Sequence, residues 1–132
     1  APIDAQQQTL WGHSYGGLAV LHTLFTRPGA FSDYAAASPS LWWHDGAIVQ
    51  EAQGLEQRLG NNSARLLLMR GSAEPSTPRA QLKGDVEKPA RELAADLAKV
   101  KGLQVRFERF DGLDHGQMLG ASLNTVIEQL AR

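Results

Sequence analysis

The sequence has no cysteine, almost no imbalance of charge and no long apolar run, and each absence closes off a class of function. Without cysteine there are no disulfides, no thiol nucleophile and no thiolate metal site. The compartment stays open between cytosol and periplasm. Thirteen Lys plus Arg against 14 Asp plus Glu leave a formal charge of -1, too little to gather polyanions, so no nucleic-acid partner is expected. Apolar stretches such as Leu66 to Met69 fall far short of the ~20 residues of a spanning helix, so no membrane partner is expected either. Four histidines spread along the chain lack the close spacing of a zinc site, and no metal is expected. No charged-then-apolar leader opens the chain, so the expectation is that a secretion signal is absent or already removed. What remains is a chain of 132 residues, 42% of them apolar, long enough for one domain around a single core.

Strand-like and helix-like patterns alternate along it, which predicts an α/β fold with about four parallel strands covered by helices. A short strand over Gln8 to Gly12 leads through Ser14 into a helix marked by Leu18, Leu21, Leu24 and Phe25, and Arg27-Pro28-Gly29 stops it. A second strand, Tyr34 to Ala37, ends at Ser38-Pro39-Ser40, where Pro39 cannot donate to a ladder. Asp45 is then placed to cap one helix carrying Ile48, Val49, Ala52, Leu55 and Leu59, closed by Gly60 and Asn61. The third strand, Arg65 to Arg70, holds a Leu-Leu-Leu-Met run of the kind buried on both faces. Gly71 to Lys88 is polar and too long for a routine connection, which marks it as a functional loop. Pro89 opens a helix with Leu93, Leu97 and Val100 on one side, and Gly102 ends it. Leu103 to Phe110 alternates as a fourth strand, and Met118, Leu119, Leu123, Ile127 and Leu130 mark a final helix.

Gly12-His13-Ser14-Tyr15-Gly16 matches G-x-S-x-G between a strand and an apolar-periodic helix, the setting in which that motif forms a nucleophile elbow. Small flanking glycines let the chain turn and hold the Ser14 hydroxyl out. A serine needs a base, and His115, after the last strand, sits where the histidine falls in the order nucleophile, acid, histidine. Glu74 is the candidate acid because it follows the third strand within a few residues; its role would be to fix the His115 tautomer and stabilise the imidazolium. Asp85, Asp111 and Asp114 are alternatives. The Tyr15 backbone N–H would supply one oxyanion donor, and the second belongs to a loop upstream of the elbow, where only 13 residues precede Ser14. His13 reads as packing or hydrogen-bonding locally. Trp11 reads as core; Trp42 and Trp43 are candidates to line a site for aromatic ligands, although one of that pair is the better candidate for the core.

At these residues the sequence resembles the putative-esterase branch of the α/β-hydrolases, which holds enterobactin-type siderophore esterases, S-formylglutathione hydrolases and mycolyltransferases. Trp11 to Leu18 is similar to the elbow of the siderophore esterases, Ala37 to Trp43 to the segment after their next strand, and His115 to Met118 to their histidine loop. The resemblance implies ester hydrolysis through Ser14 and His115, with a catecholate siderophore or its iron complex as the substrate to test and no cofactor. It also implies that residues 1–132 form a single but truncated domain, the C-terminal portion of the fold, because complete members are roughly twice as long. A general carboxylesterase or acyltransferase, and an inactive fragment serving as an interaction module, are the competing readings. In the usual strand order the elbow strand is internal, so its bare edge predicts self-association or pairing with a companion segment.

Overall fold

The structure, a computed structural model, describes residues 8–74 and 87–130. Four strands, β1 (Thr9–His13), β2 (Asp33–Ala37), β3 (Ala64–Gly71) and β4 (Leu103–Phe110), form one parallel sheet in the order β1-β2-β3-β4. Five helices accompany them: α1 (Tyr15–Thr26), α2 (Ala47–Glu51), α3 (Leu55–Leu59), α4 (Lys88–Leu97) and α5 (Gln117–Leu130). Parallel strands need crossovers, and each strand duly hands on to helical chain before the next begins.

The alternation of side chains along the strands sorts the molecule into two faces. Tyr34, Ala36, Leu66, Leu68 and Leu103 point to one side and pack under Leu21, Leu24 and Phe25 of α1, Leu55 and Leu59 of α3, and Leu93 and Leu97 of α4. On the other side Ala35, Ala37, Leu67 and Met69 meet Met118 and Val126 of α5, with Trp11 packed alongside. There the Trp11 indole N–H donates to Ser122 Oγ at 3.1 Å, which satisfies a polar atom where strand and helix touch. Only part of that second face is covered. A groove of about 570 Å³ runs along it, lined by Ala35, Leu67, Arg65, Arg106, Val126 and Leu130 among others.

Three expectations change. The helix read through Ile48 and Leu59 is two short helices, because Gly54 takes a left-handed φ of 80° between them. The first of these follows a 3-10 turn over Trp43–Gly46 and starts after Gly46 at φ 77°, so the Asp45 cap is replaced by a glycine turn. In α5 only Met118 of the apolar residues that mark the helix is buried, and it faces the sheet with Ser122 and Val126. Leu119, Leu123, Ile127 and Leu130 stay 38–63% exposed. The polar loop from Gly71 to Lys88 falls largely outside the described residues. Among the described residues no helix is long and apolar enough to cross a membrane.

Candidate active site

The site sits beyond the C-terminal ends of the strands, where ligands gather in open α/β sheets. β1 ends at His13, and Ser14 turns the chain with φ 62° and ψ -118° straight into α1. That conformation is strained for a residue with a Cβ, and a serine held so is exposed at the sheet's end rather than folded into the helix. The turn closes because Gly12 has no side chain: a Cβ there would stand 2.3 Å from the Gly16 carbonyl oxygen. Gly16, by contrast, faces open space, so the second motif glycine is not required by packing within these residues. The ladder carries on through the turn, since Ser14 N–H donates to the Ala37 carbonyl at 2.9 Å.

Glu74 and His115 arrive from two other strand ends. Glu74 follows β3 and is 1% exposed. Its Oε2 accepts the Gly71 N–H and the Ser38 hydroxyl, each at 2.7 Å. Its own carbonyl accepts Arg70 Nη2 at 2.8 Å. Burial pushes the Arg70 pKa down, and the neighbouring charges of Glu74 and Glu87 push it back up. His115 lies in the turn between β4 and α5, with Nδ1 at 2.5 Å from Glu74 Oε1 and Nε2 at 2.9 Å from Ser14 Oγ. A carboxylate only accepts, so the Nδ1 proton points to Glu74 and Nε2 is left to accept the Ser14 hydroxyl. The approach of the β3 and β4 turns is close: a Cβ on Gly71 would fall 2.2 Å from the Leu113 carbonyl oxygen.

Neighbours complete the arrangement. Ser40 Oγ stands 3.4 Å from Ser14 Oγ, a long contact in which either hydroxyl can donate. His13 Nε2 lies 2.8 Å from the His115 carbonyl oxygen and donates to it, with the two rings 4.7 Å apart. This fits the reading of His13 as a local partner, and it ties the elbow to the histidine turn. Tyr15, the first residue of α1, presents an N–H that no carbonyl one turn back can take. The Tyr15 ring meets Trp42 edge-on at 5.9 Å. Trp43 lies 3.8 Å from the His44 ring and is 42% exposed. Trp42 is half-buried, so neither indole is a core residue, contrary to the expectation for one of them. Of the alternative acids, Asp111 pairs with Arg109 at 2.8 Å and Asp114 Oδ1 accepts the Gln117 N–H at 2.8 Å, while Asp85 lies outside the described residues. Among the described residues no group of three His, Asp or Glu could hold a metal ion. The contacts of Ser38 and Ser40 escaped sequence reading because they arise between adjacent strand ends, and no linear spacing records them.

Ser14, His115 and the buried Glu74 carboxylate thus lie in one chain of hydrogen bonds at the elbow. The family described as Putative esterase matches residues 1–128. The chain belongs to that family. Among curated members, a siderophore enterobactin esterase of Emericella nidulans is 32% identical over 92% of this chain and 46% of its own length. The ferri-bacillibactin esterase BesA of Bacillus subtilis is 35% identical over 89% of this chain and 40% of its own. A solved siderophore hydrolase, EstB from Aspergillus nidulans, superposes with a TM-score of 0.79 at 31% identity, over 95% of this chain and 48% of that one. The chain thus spans less than half the length of these esterases. The sheet is that of the α/β-hydrolase siderophore esterases, as the sequence implied.

Proposed function

We propose that this chain carries the reacting groups of a serine ester hydrolase acting on ester bonds of a siderophore. The observation that carries the reading is the bonded chain from Ser14 Oγ through the His115 imidazole to Glu74, spanning 2.9 and 2.5 Å on an elbow of the required geometry. Ser14 Oγ attacks the ester carbonyl as its proton passes to His115 Nε2, and the carbonyl oxygen becomes an oxyanion facing the Tyr15 N–H and the start of α1. Collapse breaks the bond to the alkoxy oxygen, which takes the proton from His115, and leaves Ser14 acylated. Water then gives a proton to His115 and attacks the acyl carbon, and as the bond to Ser14 Oγ breaks His115 returns that proton to Ser14 and the acid departs. Glu74 keeps the imidazole in the tautomer that accepts from serine and stabilises its charged form. No cofactor enters these steps.

The relatives named as siderophore esterases support a catecholate trilactone or its iron complex as substrate. Half-buried Trp42, which meets the Tyr15 ring at the elbow, and its exposed neighbour Trp43 are suited to stack on aromatic rings. One experiment tests these claims together: turnover of p-nitrophenyl butyrate and of a catecholate trilactone, with organophosphate labelling as a check on Ser14. Ser14→Ala is expected to lower turnover by at least about 10⁴-fold and to abolish labelling; undiminished activity overturns the reading. Replacing Trp42 and Trp43 with alanine is expected to raise KM for the trilactone alone. An equal preference for the simple ester makes the enzyme a general carboxylesterase.

The outer edge of β1, unpaired among the described residues, and the exposed stripe of α5 support self-association of this chain. Sedimentation of residues 1–132 is expected to show dimers or larger species. A monodisperse monomer at high concentration overturns that.

A further inference from the structure

β1 and β2 end in the same way. Ser14 follows the ladder pair His13 and Ala37, and Ser38 follows the pair Ala37 and Met69. Each serine takes a left-handed φ, 62° and 47°, and each donates its N–H to the next strand, Ser14 to Ala37 and Ser38 to Met69. Glycine is the residue usually found in that conformation, and a non-glycine residue persists there only where its surroundings over-determine it. At Ser14 the elbow and its exposed hydroxyl account for the strain. Ser38 is only 3% exposed, and its hydroxyl donates to Oε2 of Glu74 at 2.7 Å.

We propose that Ser38 is the positioning residue of the Glu74 carboxylate, an inference that rests on the hydrolase reading above. A glutamate side chain has three torsions to fix, and its two oxygens are interchangeable until something distinguishes them. The Gly71 N–H holds Oε2 along one line but leaves rotation about that line free. The Ser38 hydroxyl, arriving from a different strand, removes that rotation and turns Oε1 toward His115 Nδ1. A hydroxyl has a single proton, and here it goes to Oε2, so Ser38 does not compete with the histidine for Oε1. Ser38 acts through Glu74.

The test is a double-substitution cycle read by aryl-ester turnover and by the rate of organophosphate labelling of Ser14. Ser38→Ala and Ser38→Gly are each expected to lower kcat and the labelling rate about 10- to 100-fold with KM unchanged. The glycine variant removes the hydroxyl while easing the backbone, so its unfolding temperature should not fall, and this separates positioning from damage to the fold. In a Glu74→Ala background, Ser38→Ala is expected to cost nothing further, because its target is gone. Unchanged kcat in both single variants overturns the proposal. So does an equal loss from Ser38→Ala with and without Glu74. A Glu74→Ala protein as active as the parent overturns the acid's role and this inference with it, and absence of both turnover and labelling in the parent overturns the hydrolase reading itself.

Discussion

The two faces of the sheet are built to different standards. Beneath α1, α3 and α4 the strands present a continuous apolar surface, and Leu21, Leu24, Phe25, Leu59 and Leu68 are all fully buried against it. Beneath α5 the apolar patch is small, and the sheet continues into charged pairs, Arg65 with Asp33 at 2.8 Å and Arg106 with Glu108 at 2.6 Å. The groove beside them stays open, and α5 itself carries four large apolar side chains outward. One face therefore holds the fold together, and the other holds the site's histidine turn in place with little to spare.

Substitutions grade that contrast. Phe25→Ala, on the packed face, is expected to cost about 3–5 kcal/mol of unfolding free energy by chemical denaturation, enough to leave such a domain barely folded. A loss below about 1 kcal/mol would erase the distinction between the faces. Met118→Ala opens a cavity under α5 at a fully buried position and is expected to cost about 2–4 kcal/mol. Because Met118 lies three residues beyond His115, activity should fall along with stability. Leu123→Ser, on the exposed stripe, should change stability by no more than about 0.5 kcal/mol while weakening self-association. If it destabilises as strongly as Met118→Ala, the stripe is already buried in solution and the second face is as well packed as the first.

Period and punctuation made the strands and most helices legible in the sequence, since a Leu-Leu-Leu-Met run reads as a doubly buried strand whatever surrounds it. The break at Gly54 was missed because apolar spacing continued through it, although a glycine in that spacing was itself the signal. In α5, Met118 apart, the apolar positions that mark the helix lie on the stripe that faces away from the sheet. The face toward the sheet contains Ser122, small enough to sit against Trp11 and polar enough to accept its N–H. A stripe of leucine reads as buried only when its partner surface is known, and no linear pattern supplies that. The strand-end positions of Ser14 and His115 were legible from chain order and topology, whereas chain order alone left Glu74 beside Asp85, Asp111 and Asp114 as candidate acids. Ser38 looked like a strand terminator, since the partner that gives its hydroxyl a purpose lies 36 residues away in sequence.

Trp11 has a practical consequence of its own. Its indole is wedged between the elbow strand and α5 and anchored on Ser122, whereas Trp42 and Trp43 stand near the elbow on the loop after β2. With those two replaced, the remaining emission is an optical gauge of one junction. Blue shift and loss of quencher access would register the moment another surface closes over the open side of the sheet, with no added dye.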